Sequence, residues 1–416
     1  MKKYFAILGG NKLLKGICEL LQSYGYTIVV VDWNEKPGIT GDIHIRHDVK
    51  DHETILRIFE ERGYNIDGAI SCIDLAAPSV SIINKAYGFK SMPEKYNVVL
   101  SKEQMAKDWK AAGIFNRISE RSDTISLEKI KELNKKYRII IKPDVAASSR
   151  GITTLEKDST EEQIVEAMNI AKEASFNKLC LIEEFVVGRE FTVDMLGDDY
   201  GNVVVYAISV KYHTPYAGKN RCAVKLHWNS NVYDDETYKR IAQRGRECYK
   251  AIGLKNSFGH LEMIMKEDGT FTPVEIGART SGFIGSHLVS AASERDYLHD
   301  YVDMLHGKNI GNEDHINGNQ SAMWYKYNIP SGVTCVKKTS MADFFDPRIT
   351  VMYNDHGGLN VGETYGPIID DNTCDYEGYE MIKGPKDVLT YENIRKSEAA
   401  FLKAFCNYDN PLAFED

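Results

Sequence analysis

Ile182-Glu183-Glu184-Phe185-Val186-Val187-Gly188-Arg189-Glu190-Phe191-Thr192-Val193-Asp194 holds the junction that decides the fold. An apolar strand, Leu179–Glu184, ends in two carboxylates, and a glycine then introduces a second strand, Phe191–Leu196. A strand-to-hinge passage of this kind can offer carboxylates and backbone groups to a ligand. A solvated turn between two strands accounts for the same residues, so the flanking segments have to decide.

Upstream, the strand Arg138–Ile141 ends in Lys142-Pro143 and is followed by Ala146-Ala147-Ser148-Ser149-Arg150-Gly151, a short strand Ile152–Leu155 and a helix Glu161–Ala174. Small residues let backbone N–H groups approach an anion closely, which suits phosphates; a lysine at a strand end is otherwise a solvated tip. Before this, Ser101 with Gln104 three residues on predicts a capping box opening a helix at Lys102. Downstream, Val203–Val210, Gly259–Met265 and Phe271–Ile276 read with Phe191–Leu196 as an antiparallel sheet, and Glu267-Asp268-Gly269 makes a good hairpin turn between the last two. That hairpin brings Glu262 and Glu275 near each other on one face. Like charges so placed are unfavourable, which points to a bound cation, and oxygen ligands suit Mg²⁺ with phosphates completing its shell. One protonated or lysine-paired carboxylate is the plainer alternative. Arg279 follows Glu275 by four residues and precedes Thr280-Ser281-Gly282; its fork can stabilise a transferred phosphoryl group, hold a carboxylate or form a salt bridge to a neighbouring glutamate. Two helices are expected at Glu236–Ala251 and from Ser286 to about Leu305, and a further strand-like piece at Ile349–Tyr353.

The N-terminal segment reads as β-α-β: the apolar run Tyr4–Leu8, Gly9-Gly10-Asn11, a helical pattern of Leu13, Leu14, Ile17, Leu20 and Leu21, and a second run, Thr27–Val31, closed by Asp32. Strands without polar alternation predict a parallel sheet covered on both faces. A helix near His52–Glu61, a strand at Gly68–Ile73 and a helix at Pro78–Ala86 complete a small open α/β domain. The glycine pair lacks the three-glycine dinucleotide spacing, because Gly16 arrives too late, and a tight turn explains it. A chain of 416 residues exceeds one ordinary core, so several lobes are expected: 1–100, 101–190, 191–310 and 311–416, the second mobile as a lid and the last packing on the third. The net charge of -9 argues against nucleic acid as a partner, and no apolar run approaches the ~20 residues of a membrane span. The 8 cysteines form no C-x-x-C pair, so reduced thiols in a cytoplasm are expected.

The ordered series Ile141-Lys142-Pro143 with its small-residue loop, Ile182–Asp194, His260-Leu261-Glu262 and Val274-Glu275-Ile276-Gly277-Ala278-Arg279 resembles the ATP-grasp superfamily from about Lys102 to His287. The resemblance implies an ATP-grasp fold, α/β and α+β, behind a parallel α/β domain. It implies that Lys102, Lys142, Ser148 and Ser149 contact ATP phosphates, that Glu183 and the backbone of Val186 hold adenine, and that Glu190 holds ribose. Glu262 and Glu275 would bind Mg²⁺, with Mn²⁺ as a substitute, and Arg279 would assist phosphoryl transfer with Lys142. Gly277 stands where many members have an asparagine as a further metal ligand, and the phosphate loop has fewer glycines than many relatives. The Glu-Ile-Gly-Ala-Arg wording is most similar to the branch of L-amino-acid ligases and carbamoyl-phosphate-synthase-like proteins. The implied reaction joins a small-molecule carboxylate to an amine through an acyl phosphate; a homodimer is among the assemblies allowed. Bicarbonate phosphorylation and a non-ligase nucleotide-binding protein are the rival expectations. Tyr325, Lys326 and the Gly357-Gly358 turn in the tail match no motif.

Overall fold

The computed structural model describes residues 2–93, 98–146, 150–214, 223–281, 285–326, 329–355, 360–366 and 378–406. Ser148, Ser149 and the Gly357-Gly358 pair lie outside them. In the N-terminal lobe, β1 (Tyr4–Leu8), α1 (Lys15–Ser23), β2 (Thr27–Asp32), β3 (Ile43–Arg46), α2 (His52–Glu61), β4 (Ile66–Ile70) and α3 (Ala77–Ala86) follow in sequence. The strands order as β3-β2-β1-β4 and every pair is parallel. Ile28, Val29, Val30 and Val31 are all fully buried, which is why these strands show no polar alternation. β4 ends at Ile70, short of the expected Ile73, because the Ser71 hydroxyl donates to the Leu8 carbonyl and accepts from the Ile73 amide, turning the chain out of the sheet.

The glycine pair is a closed turn. The Gly10 amide donates to Asp32 at 2.6 Å, the Gly10 carbonyl accepts from the Ile39 amide, and a Cβ at Gly10 would lie 2.5 Å from Pro37. An N–H committed to a carboxylate cannot also cradle a pyrophosphate, so this loop is not built for a dinucleotide.

The middle segment holds α4 (Lys102–Ala111), β5 (Ser119–Arg121), α5 (Leu127–Lys136), β6 (Ile139–Pro143), β7 (Thr153–Leu155), α6 (Glu161–Ala174) and β8 (Cys180–Glu184). Its four strands form a separate antiparallel sheet, β5-β8-β6-β7, over a core of Ile130, Ile139, Ile141, Ile164 and Ile182. The capping box at Ser101 is only half formed. Ser101 accepts from the Gln104 amide, but the Gln104 side chain turns to Asp108 at 3.0 Å and Ser101 donates instead to Asp144. By packing, α4 belongs to the third lobe: the buried Trp109 indole donates to the Cys248 carbonyl at 2.9 Å.

The third sheet is built from β9 (Arg189–Gly197), β10 (Val203–His213), β11 (Ala223–Trp228), β12 (Ser257–Met265), β13 (Phe271–Gly277), β14 (Gln320–Lys326), β15 (Thr350–Asp355) and β16 (Tyr379–Pro385). Its order is β13-β12-β9-β10-β11-β14-β16-β15, antiparallel throughout. The helices of this part are α7 (Asp235–Ala251), α8 (Gly285–Ser293), α9 (Tyr297–Leu305) and α10 (Tyr391–Cys406). The single helix expected from Ser286 to about Leu305 is two, broken where Glu294 turns to a φ of 55° and Asp296 caps the His299 amide. Strands β11, β14 and β16 were not expected from the sequence; each carries a buried charge, Lys225 and Glu380 within β11 and β16 and Lys326 at the end of β14.

Gly188 joins the two antiparallel sheets. A Cβ there would lie 2.2 Å from the Met265 carbonyl oxygen and 2.7 Å from Ile264, so only glycine lets the chain pass this close to β12. Gly188→Ala is expected to destabilise the protein by about 1–3 kcal/mol, the usual cost of overpacking a rigid backbone contact, read as a lower urea midpoint at unchanged m-value.

Candidate active site

The hairpin register sets the centre of the site. Glu262 on β12 lies directly opposite Glu275 on β13, with a bulge just after the pair. The alternation of the sheet adds Glu190 and Thr192 of β9 and Ser209 and Lys211 of β10 to the same face, and the Thr192–Ser209 hydroxyl contact at 2.6 Å confirms it. Lys102, at the start of α4, reaches Glu275 at 2.8 Å and the Ala146 carbonyl at 3.3 Å. Lys211 bridges Glu190 at 2.6 Å and Glu262 at 3.3 Å, and His213 meets the other Glu190 oxygen at 3.2 Å. Glu190, expected at a ribose, is thus tied to Lys211 and His213.

The two opposed carboxylates are shifted in opposite directions. Burial lifts Glu262, and although Lys211 opposes this, the like charges of Glu275 and Glu190 leave it raised. Burial also penalises Glu275, but Lys102, Lys142 and Arg279 more than offset that and hold it at about 2. Burial likewise works against Glu190, yet Lys211 and His213 keep it well below the usual carboxylate range. Opposite shifts in two facing carboxylates mark like charges with too little positive charge between them. No group of three or more acidic, histidine or cysteine side chains among the described residues forms a metal cage by itself. Two carboxylates with phosphate oxygens are the usual Mg²⁺ arrangement, so Glu262 and Glu275 fit that ion when a polyphosphate is present.

Lys142 and Glu183 form a second centre. They pair at 2.9 Å, at 3% and 2% exposure, and Arg117 joins the same Glu183 oxygen at 2.9 Å while Ser119 donates to the other at 3.0 Å. Burial lowers Lys142, while Glu183, pushed up by burial, is held below its ordinary range by Arg117 and Lys142. Both Glu183 oxygens, expected at an adenine, are therefore engaged inside the small sheet by Lys142, Arg117 and Ser119. Val186 lies half-buried in the link to β9, next to Phe185, whose ring carries the Arg138 guanidinium at 4.1 Å.

Arg279 comes from the loop after β13. Its Nε and Nη2 donate to the two oxygens of Asp74 at 2.7 and 2.9 Å, and its Nη1 donates to the Thr280 carbonyl. Its salt bridge is made to an aspartate of the N-terminal lobe and not to a neighbouring glutamate. Opposite Gly277 on β12, His260 donates through Nδ1 to Asp194, 2.9 Å away, and Asp194 also accepts from Trp228.

The sequence did not single out Arg117, Lys211, His213, Asp74 or Asp194. Lys211 and His213 carried a usable signal, two basic residues with period 2 at the end of an apolar strand; Arg117 and Asp74 carried none. Tyr325 belongs elsewhere: Lys211 stands opposite Leu226, which stands opposite Trp324, so Tyr325 points from the other face, where it donates to Glu380. Lys326 shares the face of Trp324 and lies 5.1 Å over its ring.

Residues 135–287 match the sequence family described as the ATP-grasp domain. The alanine–anticapsin ligase of Bacillus subtilis is 22% identical over 161 residues, which is 35% of this chain and 34% of that protein, so the match spans about a third of the relative's length. The L-amino acid ligase from Bacillus licheniformis superposes with a TM-score of 0.73 at 16% identity, covering 97% of this chain and 98% of that one. The biotin carboxylase domain of the Hydrogenobacter thermophilus 2-oxoglutarate carboxylase, a structure with MgADP and bicarbonate, superposes at 0.69 with 16% identity over 96% and 90% of the two chains. The chain has the ATP-grasp fold, and among the described residues no helix is long and apolar enough to cross a membrane.

The raised Glu262 fixes the sign of a stability effect. A carboxylate whose folded pKa lies above its unfolded value adds stability at low pH that is lost as pH rises through the folded pKa. Glu262→Gln is therefore expected to raise the melting temperature of the ligand-free protein by a few degrees at pH 7, with the gain vanishing in acid where Glu262 is already protonated. The same substitution should remove any stabilisation by Mg²⁺ added with nucleotide, read by differential scanning calorimetry at pH 7 and pH 4.

Proposed function

We propose that this chain, which carries an ATP-grasp domain at residues 135–287, is an ATP-dependent carboxylate–amine ligase working through an acyl phosphate. It joins an amino acid or other small carboxylic acid to an amine, with ADP and phosphate as products. The observation that carries this is the opposed pair Glu262 and Glu275, with Lys102 and Lys211 paired to it and Lys142 and Arg279 near enough to hold Glu275 down. Two anions for a metal and four cations for a polyphosphate are what phosphoryl transfer requires. The names of the alanine–anticapsin and L-amino acid ligases support the substrate class, and the MgADP of the carboxylase supports the nucleotide and metal. The thiols of Cys18, Cys72, Cys180, Cys248 and Cys335 are free, which supports a cytoplasmic setting.

A carboxylate resists attack because its charge is delocalised and its leaving group would be oxide. When one of its oxygens bonds to the γ-phosphorus, the bond from that phosphorus to the ADP oxygen breaks and a mixed anhydride results. The amine then bonds to the carbonyl carbon, loses a proton, and phosphate departs. Lys102 and Lys142 offset charge on the transferring phosphates, and Arg279 presents guanidinium N–H groups where charge develops. Glu262 and Glu275 would hold Mg²⁺, which when bound supplies further neutralisation and fixes the phosphates in line. The small sheet over this floor excludes water that would hydrolyse the anhydride.

Phosphate and ADP release from Mg·ATP, screened over amino acids singly and in pairs, tests the proposal. Release that depends on an amino acid and yields an amide or dipeptide is expected; release with bicarbonate and ammonia alone would replace the reading with carbamoyl-phosphate chemistry. Glu275→Gln should abolish Mg²⁺-dependent turnover without unfolding the chain. Lys142→Ala should weaken ATP about 10- to 100-fold, the worth of one charge-assisted phosphate contact. Arg279→Lys keeps the charge but loses the planar fork, so a steep fall in kcat with ATP affinity nearly unchanged is expected from steady-state kinetics.

A further inference from the structure

Resting on that reading of Arg279, we infer that Asp74 of the N-terminal lobe is the positioning residue for this arginine, and that Gly277 is glycine because Asp74 occupies the space a side chain there would need. A Cβ on Gly277 would lie 2.7 Å from Asp74 Oδ1 and 3.2 Å from Arg279 Cγ. The aspartate stands in the short helical turn Asp74–Ala76 that leads into α3, in a different lobe from the carboxylate pair. Its two oxygens take the Nε–Nη2 edge of the guanidinium at 2.7 and 2.9 Å, while Nη1 is fixed by the Thr280 carbonyl at 3.0 Å.

A guanidinium has five N–H donors in one plane. The side edge is spent on Asp74 and one Nη1 hydrogen on Thr280, which leaves one N–H on each terminal nitrogen. Those two remain to donate to the oxygens of a phosphoryl group. Arg279 Cγ and Cζ lie 3.2 and 3.3 Å from where a Cβ on Gly277 would stand, two residues beyond Glu275 on the same side of β13, so the guanidinium lies next to the carboxylate pair. The same loop is tied down once more where Cys72 and Thr280 share a contact of 3.1 Å. Asp74 thus fixes both the plane and the direction of Arg279, and the N-terminal lobe acts on the reaction without touching the reacting atoms.

The test uses the full chain and aluminium fluoride, which with Mg·ADP imitates a planar phosphoryl group in flight. Titration calorimetry would first measure Mg·ADP alone, then aluminium fluoride on the Mg·ADP complex. Asp74→Asn keeps the shape but weakens the clamp, and Gly277→Ala displaces the aspartate from the other side. Each should weaken aluminium fluoride about ten- to a hundredfold, the cost of a misplaced catalytic group, with Mg·ADP affinity unchanged. Asp74→Glu, which keeps the charge, should recover part of the loss. In an Arg279→Lys background, Asp74→Asn should add nothing, because both act through one guanidinium.

Failure of the wild-type chain to bind Mg·ADP would sink the ligase reading. With Mg·ADP bound, four results would overturn the present inference: no aluminium fluoride binding by the wild type, wild-type affinity in Asp74→Asn with only a lower melting temperature, additive losses in the double variant, or tighter binding. The last would make Asp74 a placeholder that a substrate carboxylate displaces.

Discussion

Two glutamates placed face to face across a hairpin are a repulsion that the surrounding structure has to answer. Glu262 and Glu275 sit on adjacent antiparallel strands with their side chains on one face, and neither strand can shift by a single residue without turning the whole apolar set outwards. The register is therefore fixed by the core and the repulsion comes with it. What answers it is drawn from separate places in the chain: Lys102 from the start of α4, Lys211 from β10 and Arg279 from the loop beyond β13. A protein that needed only stability would place apolar residues here. The retained charges mark the site where stability is given up for function.

The knot around Glu183 shows the opposite balance. Arg117, Lys142 and Ser119 satisfy both of its oxygens inside the small lobe, so the charge is buried and answered locally. Such a cluster is rigid, because removing any partner leaves an uncompensated buried charge. Lys142 belongs to this cluster and also acts on Glu275, which couples the small sheet to the carboxylate pair electrostatically. Between the two sheets the chain passes at Gly188, pressed against the Met265 carbonyl. The small sheet has its own core, whereas α4, which precedes it in sequence, is packed on the large one.

The N-terminal lobe takes part through its loop and not through its glycine turn. The Gly9-Gly10 turn is closed by Asp32 and Ile39, so the backbone groups of the feature that looked most like a nucleotide motif in this lobe are engaged within the protein. Asp74, in an unremarked stretch after β4, instead reaches across to Arg279. The same pattern recurs in the tail, where β14, β15 and β16 complete the large sheet although only one of them showed as a strand in the sequence.

The sequence by itself determined what depends on near neighbours. Continuous apolar runs predicted the parallel sheet; the Asp268-Gly269 turn and period 2 brought Glu262 near Glu275 on one face; and the small-residue loop beside Lys142 set that lysine apart from a solvated strand tip. Each rests on residues a few positions apart, where local geometry leaves little choice. Tertiary structure alone decided the partners: Asp74 for Arg279 across 205 residues, Ser119 for Glu183 across 64, and the face on which Tyr325 emerges. An ion pair needs only two side chains at the right distance, and it leaves no periodic trace in either segment. Buried Lys225 and Glu380 broke the apolar pattern of β11 and β16 for the same reason, since a charge is tolerated inside a strand only when the folded chain brings it a partner.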